Sequence, residues 1–252
     1  VVDNGSVDHT REISRQFTNK VYRIEAELAS AGVRNARGYQ LNHGVRESSG
    51  EIVFFPDADM TFDQCLLNEA VARIKTCDAL YVPEIIVGKG LFGRIRNFER
   101  SFYNTTCIDA VRIVKKEVYL SIGGFDSINI EFGADDWDFT KRIKEKKLRI
   151  EITNRVLHHH EESLSLRGYL AKKSRYISKL NGYVRKWGKS DPDVRRQFSV
   201  WYRYFGVFFE KGKWSRFLSN PVLALGVYVV RVLLGLAFLF RFVVRGKSNV
   251  GL

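Results

Sequence analysis

The sequence predicts an α/β protein, with a doubly wound, mostly parallel sheet followed by a helical, basic extension. Three observations predict it. Short apolar runs alternate with segments of helical periodicity up to about residue 160, polar loops follow several of those runs, and the pattern past His160 is helical throughout. Domain boundaries are therefore expected at 1–160 for the sheet-containing domain and 161–252 for the helical region.

The chain opens on VVDNGSVDHT, a strand candidate at Val1 to Val2, a glycine-containing turn, and a helix N-cap at Asp8 ahead of a helical pattern from Thr10 to Phe17. In an α/β sheet a polar loop at a strand's carboxyl end is a nucleotide-binding position, where an Asp such as Asp3 can accept hydrogen bonds from a base or ribose, although strand-turn-helix punctuation alone also explains these residues. A second strand candidate runs from Val21 to Ile24, and a helical pattern from Arg37 to Glu47 carries RGYQLNHG. Arg37 there could stack on a base or pair with phosphate, although Arg37, Gln40 and Asn42 also suit a solvated helix face.

The stretch EIVFFPDADM is an apolar run, Ile52 to Phe55, that ends at Pro56 and delivers Asp57 and Asp59 into a loop. Carboxylates at i and i+2 beyond a buried strand are ligands of a kind Mg²⁺ or Mn²⁺ takes while sharing its remaining positions with substrate phosphates. An ordinary turn accounts for the same residues when they are taken alone. Helical periodicity resumes from Asp63 to Arg73, and a strand is expected from Ala79 to Val82.

GGFDSINIEFGADDWDFTKRIKEK follows, from Gly123 to Lys146. The two glycines permit a close backbone approach. Asp135, Asp136 and Asp138 crowd the first turn of a helix, Asp136 to Lys147, whose later turns are basic. The helix dipole favours that order, yet three carboxylates in four residues exceed what a cap needs, and one held ionised beside a substrate hydroxyl is a general base. A strand from Ile150 to Val156 leads into HHHEE. Because alternate side chains of an extended chain face opposite ways, the three imidazoles cannot all face one site, and His158 or His160, with His160 preferred, is expected to serve as a metal ligand or a diphosphate contact.

Charge separates the two regions sharply. Residues 1–160 hold 23 Lys+Arg and 23 Asp+Glu, whereas 161–252 hold 18 against 5, so the whole net charge of +13 lies after His160. That region is expected to be helical from Leu166 to Trp187 and from Val194 to Phe209. It ends in an apolar run, 221–244, interrupted by Arg231 and Arg241, which suits an interfacial or re-entrant helix better than a clean span. Trp201, Tyr202, Tyr204, Phe205, Phe208, Phe209 and Trp214, interleaved with cations, resemble a membrane-interface belt. The balanced first region argues against nucleic acid as a partner. Three cysteines, odd in number and without CxxC spacing, argue against a disulfide framework and fit a reducing compartment.

In order, VVDNGSVD, RGYQLNHG with SGE beyond it, FFPDADM, and GGFD with GADDWDF resemble the motifs of family 2 glycosyltransferases, enzymes of the GT-A fold, over about 140 residues. Asn4, Leu41 and Asp135 depart from the common pattern. The chain also starts without Met, directly in VVD, and the family's first strand and helix are expected to be missing upstream. The resemblance implies an inverting, metal-dependent transferase in which Asp3, Arg37, Asp57 and Asp135 contact the nucleotide sugar. Asp136 would be the catalytic base, and Asp59 with His160 would hold Mg²⁺ or Mn²⁺. The implied partners are a nucleotide-diphosphate sugar and a lipid-linked or cell-surface glycan acceptor, met at the cytoplasmic face of the cell membrane. A sugar-phosphate nucleotidyltransferase and a non-catalytic, degenerate transferase are the alternatives; the first would need a glycine-rich basic loop near its first strand.

Overall fold

The computed structural model describes residues 1–177 and 179–248. Its strands are β1 (Val2–Asp3), β2 (Tyr22–Arg23), β3 (Ile52–Phe54), β4 (Met60–Phe62), β5 (Ala79–Tyr81), β6 (Glu84–Val87), β7 (Val111–Lys115), β8 (Ile150–Ile152) and β9 (Leu157–His160). They form three sheets of order β1-β2, β3-β7-β5-β8 and β4-β9-β6. The pairings β1/β2, β5/β8 and β6/β9 are parallel, whereas β3/β7, β5/β7 and β4/β9 are antiparallel. The α/β class holds, with a helical carboxyl-terminal region, but the sheet expected to be mostly parallel is mixed, because β7 enters the central sheet antiparallel to both of its neighbours.

The central sheet is built from β-branched and aromatic residues that suit a pleated, buried surface. Its core gathers Phe55, Tyr81, Val114, Tyr119, Phe125 and Phe139. Phe125 and Phe139 stack at 4.6 Å between centroids, and Phe55 meets both rings edge-on at 5.6 Å. The residue before Pro56 is thus an anchor in the core, and it fixes where the DADM loop leaves the sheet.

Helices follow local signals. Asn35 caps the helix Ala36–Glu47 by accepting from the Gly38 amide at 3.1 Å. Asp191 does the same for Pro192–Phe198, accepting from Asp193 and Val194. The helix expected to run unbroken from Leu166 to Trp187 is two, Leu166–Ile177 and Asn181–Trp187. The second expected helix, Val194 to Phe209, is likewise divided, with a stretch of π-helix at Tyr202–Gly206.

Residues on both sides of His160 share one core. Ile95, Phe102 and Ile108 pack with Tyr169, Val207, Phe208, Phe217, Val227 and Val230. The helix Pro221–Ser248 lies across the helix Gly90–Arg100, so close at Gly226 that an added Cβ would meet the Ile95 side chain. Arg231, which interrupts the apolar run in the sequence, is buried at this crossing, with Nη2 2.8 Å from Glu99 Oε1 and 2.9 Å from the Tyr103 hydroxyl. Glu99 also pairs with Arg96 at 2.9 Å, and Arg96 with Glu161 at 3.2 Å. Removing charge from water is repaid only by this kind of mutual hydrogen bonding.

The aromatic belt divides. Tyr202 and Phe208 are core residues, while Trp201, Phe205, Phe209 and Trp214 are exposed. Along the carboxyl-terminal helix, Val222, Leu225, Val229, Val232, Leu236 and Leu239 are exposed and recur at intervals of three and four, which makes one apolar stripe. No helix among the described residues is long and apolar enough to cross a membrane. The side chain of Arg241 lies outside the described ones.

Candidate active site

The floor of the cleft is set by two strand ends and one helix start. Phe55 donates its amide to the Arg112 carbonyl at 3.0 Å, so the turn after β3 runs beside β7 and carries Asp57 toward the Arg112 guanidinium. From the other side the helix Asp135–Glu145 presents Asp135 and Asp136 in its first turn. Between them stands Arg37 from the first turn of the helix that Asn35 caps.

Arg37 joins these groups. Its Nη2 lies 2.9 Å from Asp57 Oδ1, and its Nη1 lies 3.0 Å from Asp135 Oδ2 and 3.3 Å from Asp136 Oδ1. Burial works against the guanidinium charge, but the three carboxylates outweigh it and hold Arg37 above its ordinary value. The ring faces of Phe125 and Phe132, each 5.9 Å from its guanidinium carbon, complete the surround. Asp135 is buried and fully engaged, because it also accepts from Asn35 Nδ2 and from the Gly133 amide, each at 3.0 Å.

Asp136 differs from its neighbour. Its side chain keeps 31% of its surface exposed and Arg37 is its one ion-pair partner among the described residues. Withdrawal from bulk water raises its pKa above the ordinary carboxylate value; Arg37 opposes the rise and the adjacent Asp135 adds to it. A solvent-reachable carboxylate with a raised pKa is what a general base requires.

Behind Asp57 lies a buried ionic chain absent from the expectations. Asp57 Oδ2 accepts from Arg112 at 3.3 Å; Arg112 holds Glu84 Oε1 at 2.6 Å; Glu84 Oε2 is 3.0 Å from Arg100, which in turn reaches Asp109 at 3.0 Å. Burial would push Asp57 up, but Arg112 and Arg37 together hold it below the ordinary range. Both of its oxygens are occupied by arginines. The only sequence signal for this chain is a charged residue set inside each of two apolar strands, EIIV and VRIV.

The histidine expectation needs correcting. His160 Nε2 lies 2.9 Å from Thr61 Oγ1 and its Nδ1 3.0 Å from Glu162, while His158 pairs with Asp63 at 3.0 Å. It is His159 that approaches the carboxylates, with Nε2 3.2 Å from Asp59 Oδ2 and Nδ1 3.9 Å from Glu84. Side chains do alternate along β9, but the register that places His159 between Met60 and Ile86 turns the middle imidazole toward the cleft. Burial pulls His159 down, and the two carboxylates more than compensate and raise it.

Asp3 stands apart. It bonds the Ser6 hydroxyl and, at 3.1 Å, the Ser6 amide, and it lies 3.8 Å from Arg11, which together keep it below the ordinary range. Its strand is tied to the cleft through the helix Ala36–Glu47, whose Gln40 donates to the Val2 carbonyl at 3.0 Å. Asn42, on the same helix, is structural. Its Oδ1 takes the Phe125 amide at 2.8 Å in the space that Gly124, at φ 64°, leaves by lacking a Cβ.

Among the described residues no three His, Cys, Asp or Glu side chains gather into a cage for a metal ion. Asp59, with 52% of its side chain exposed and His159 beside it, offers a two-donor site of the type that a hard cation completes with water and phosphate oxygens.

Comparison with known proteins defines the class. Residues 1–125 match the model for glycosyl transferase family 2, and residues 90–164 match that for the N-terminal domain of galactosyltransferase. Glycosyltransferase AglE of Haloferax volcanii is 27% identical over 217 residues, which is 79% of this chain and 67% of AglE. Among solved structures, S. aureus TarS 1-349 in complex with UDP-GlcNAc aligns at 17% identity and TM-score 0.46, over 81% of this chain and 67% of TarS. TarS 1-349 solved without it aligns at 18% identity and TM-score 0.46, over 90% of this chain and 68% of TarS. The chain is a glycosyltransferase. It belongs to glycosyl transferase family 2, and that membership carries the GT-A assignment of its α/β fold.

Proposed function

We propose that this glycosyltransferase moves a sugar, with inversion, from a nucleotide-diphosphate donor to a hydroxyl of an acceptor presented at the cytoplasmic face of a membrane. The observation that carries the reading is Arg37, poised between Asp57 and the Asp135–Asp136 pair. A diphosphate entering beside Asp57 is a stronger partner for the guanidinium than a lone carboxylate. It draws Arg37 away from Asp136, which is left as an ionised, partly dehydrated base facing the acceptor. Asp136 then takes the hydroxyl proton as the oxygen attacks the anomeric carbon and the diphosphate departs on the opposite face. Asp3 and Asp135 serve the nucleotide sugar, the first from the β1 loop and the second by fixing Arg37. Asp59 and His159 would hold Mg²⁺ or Mn²⁺, which as a Lewis acid stabilises charge on the leaving diphosphate.

The test is calorimetric titration of the chain with a panel of nucleotide sugars, with and without Mn²⁺. One donor is expected to bind in a metal-dependent manner, and Asp59→Asn is expected to lower the metal-dependent affinity by about tenfold or more while sparing the metal-free component. Failure of every donor to bind overturns the reading.

Membrane association is supported by the apolar stripe of the carboxyl-terminal helix with exposed Trp201 and Trp214, set in a region whose cations outnumber its anions 18 to 5. Each Lys or Arg near an anionic leaflet contributes about 1 kcal/mol. The chain is expected to float with phosphatidylglycerol-containing vesicles at low salt and to be released by high salt. Equal recovery with neutral vesicles would rule out the electrostatic part of this account.

A further inference from the structure

The side-chain amide of Asn35 uses both of its ends. Oδ1 accepts from the Gly38 amide at 3.1 Å and so caps the helix that carries Arg37, while Nδ2 donates to Asp135 Oδ2 at 3.0 Å on the helix that carries Asp136. The backbone is held as well. The amides of Arg34 and Asn35 both donate to the Ser127 carbonyl, at 2.9 and 3.1 Å, which ties this turn to the loop leading into the second helix. Asn35 is buried and the space around its head is closed, since a Cβ added at Gly38 would stand 3.0 Å from Nδ2 and 3.3 Å from the Phe125 Cβ.

Each end of the amide is dictated by its neighbour. The Gly38 amide can only donate and an ionised Asp135 can only accept, so the residue between them must present one acceptor and one donor on a short, planar head. Of the usual helix caps, Ser, Thr, Asp and Asn, Asn alone does both at this length. Asp would cap the helix as well as Asn does, and the helix dipole would favour it, so capping by itself gives no reason for the amide.

The second bond governs the place of Arg37. Asp135 Oδ2 takes Asn35 Nδ2 and Arg37 Nη1 together, and the same Nη1 lies 3.3 Å from Asp136 Oδ1. Turning the Asp135 carboxylate therefore moves the guanidinium relative to Asp136. The charges that face Asp136 are Arg37 and Asp135 from the two helices and Arg112 and Asp57 from the strand side, and their balance decides how readily it holds a proton.

We infer that Asn35 is a positioning residue for the transfer reaction: by holding the Asp135 carboxylate with its amide donor, it sets where Arg37 stands relative to Asp136. This role rests on the reading of Asp136 as the base. Asn35 lies buried behind the reacting groups and acts through Arg37 and the Asp135–Asp136 pair.

The experiment compares Asn35→Ser, Asn35→Asp and Asp136→Asn in the full chain, with the nucleotide sugar that binds best in the calorimetric panel as donor. Both Asn35 variants keep an oxygen to cap the helix, and neither presents the amide donor. Asn35→Ser is expected to lower kcat by about tenfold or more with the donor KM within about twofold, since a catalytic group misplaced by about 1 Å loses up to about 10²-fold. Asn35→Asp sets a second carboxylate against Asp135, which opposes an incoming diphosphate and favours the protonated form of Asp136. Its kcat should fall at least as far, its donor affinity by about tenfold, and the acid limb of its rate profile should move to higher pH. Thermal melts read the same link without a substrate: at pH 8, Asp136→Asn should raise the midpoint more in the Asn35→Asp background than in the wild type.

If both Asn35 variants match the wild type in kcat and pH profile, Asn35 is a cap alone and the inference is wrong. A rate loss in step with a lowered midpoint, with the pH profile unmoved, marks a structural role and overturns it equally. Asp136→Asn keeping the wild-type rate removes the base reading and this role with it, whereas Asp136→Asn losing the rate while the Asn35 variants keep it removes the role of Asn35 alone. Should no nucleotide sugar bind, equal effects of Asp136→Asn in the two backgrounds overturn the link.

Discussion

Asp136→Asn is expected to lower the transfer rate by about 10² to 10⁴, the usual worth of a positioned general base, and to raise the thermal midpoint at the same time. The two effects share one cause. Burial and the neighbouring Asp135 place the folded-state pKa of Asp136 above its unfolded value, even with Arg37 opposing. A carboxyl with a raised folded pKa contributes its stability while protonated, and loses that contribution as pH rises through the folded value. At neutral pH the charge is therefore carried at a cost, and an isosteric amide removes it while Arg37 keeps Asp57 and Asp135. Thermal melts from pH 4 to 8 should show the variant's advantage growing with pH. A rate loss of only a few-fold, measured with the donor identified by titration, would mean that the nucleophile is already an anion and Asp136 merely orients it.

Glu84→Ala is the most destabilising single substitution we expect at the cleft. Glu84 is buried and accepts from Arg112 and Arg100 on opposite oxygens. Burial favours its neutral form, but the two guanidinium charges hold it well below the ordinary carboxylate range. Its removal leaves two buried arginines with one carboxylate partner each among the described residues, Asp57 at 3.3 Å and Asp109 at 3.0 Å. Breaking a buried pair in this way costs about 3–5 kcal/mol, which for a chain of this size is a fall of about 10 °C in the midpoint. Because the folded pKa is depressed, the contribution is fully present above the unfolded value of about 4.3 and is lost as pH falls through the folded one. The gap between wild type and variant should stay level from pH 6 to 8 and close only in strong acid. A gap under about 1 kcal/mol by denaturant titration would mean that solvent reaches the chain of charges.

The reach of the sequence is clear from individual residues. Arg37, Asp57, Asp135 and Asp136 could be read together because each stands in a short motif whose spacing survives without its neighbours, and they do meet. Asp3 was read from the same kind of motif, yet its bonds stay within its own turn. The strand β3 was legible because FF and Pro56 mark its end; β7 was not, because Arg112 and Lys115 break its apolar run. The helix Gly90–Arg100 was hidden by two glycines that lower its propensity and by the lack of a capping side chain. His159 was missed by one residue. Alternation along a strand gives the pairing of faces but not which face is inward, and only the register with β4 and β6 decides that. Glu84 left only a charge at the head of an apolar run, since its role comes from arginines that the fold brings to it.

Arg231 has a consequence for kinship and exchange. A helix held to its neighbours by apolar contact alone could be replaced by another of similar shape from a relative, because volume and hydrophobicity tolerate repacking. This one carries half of a buried ion pair whose other half, Glu99, lies 132 positions earlier and is shared with Arg96. Drift at either position strands a charge unless the other changes with it. The carboxyl-terminal helix is therefore not an interchangeable cassette: exchanging it without the helix Gly90–Arg100 is expected to leave a buried charge unpaired.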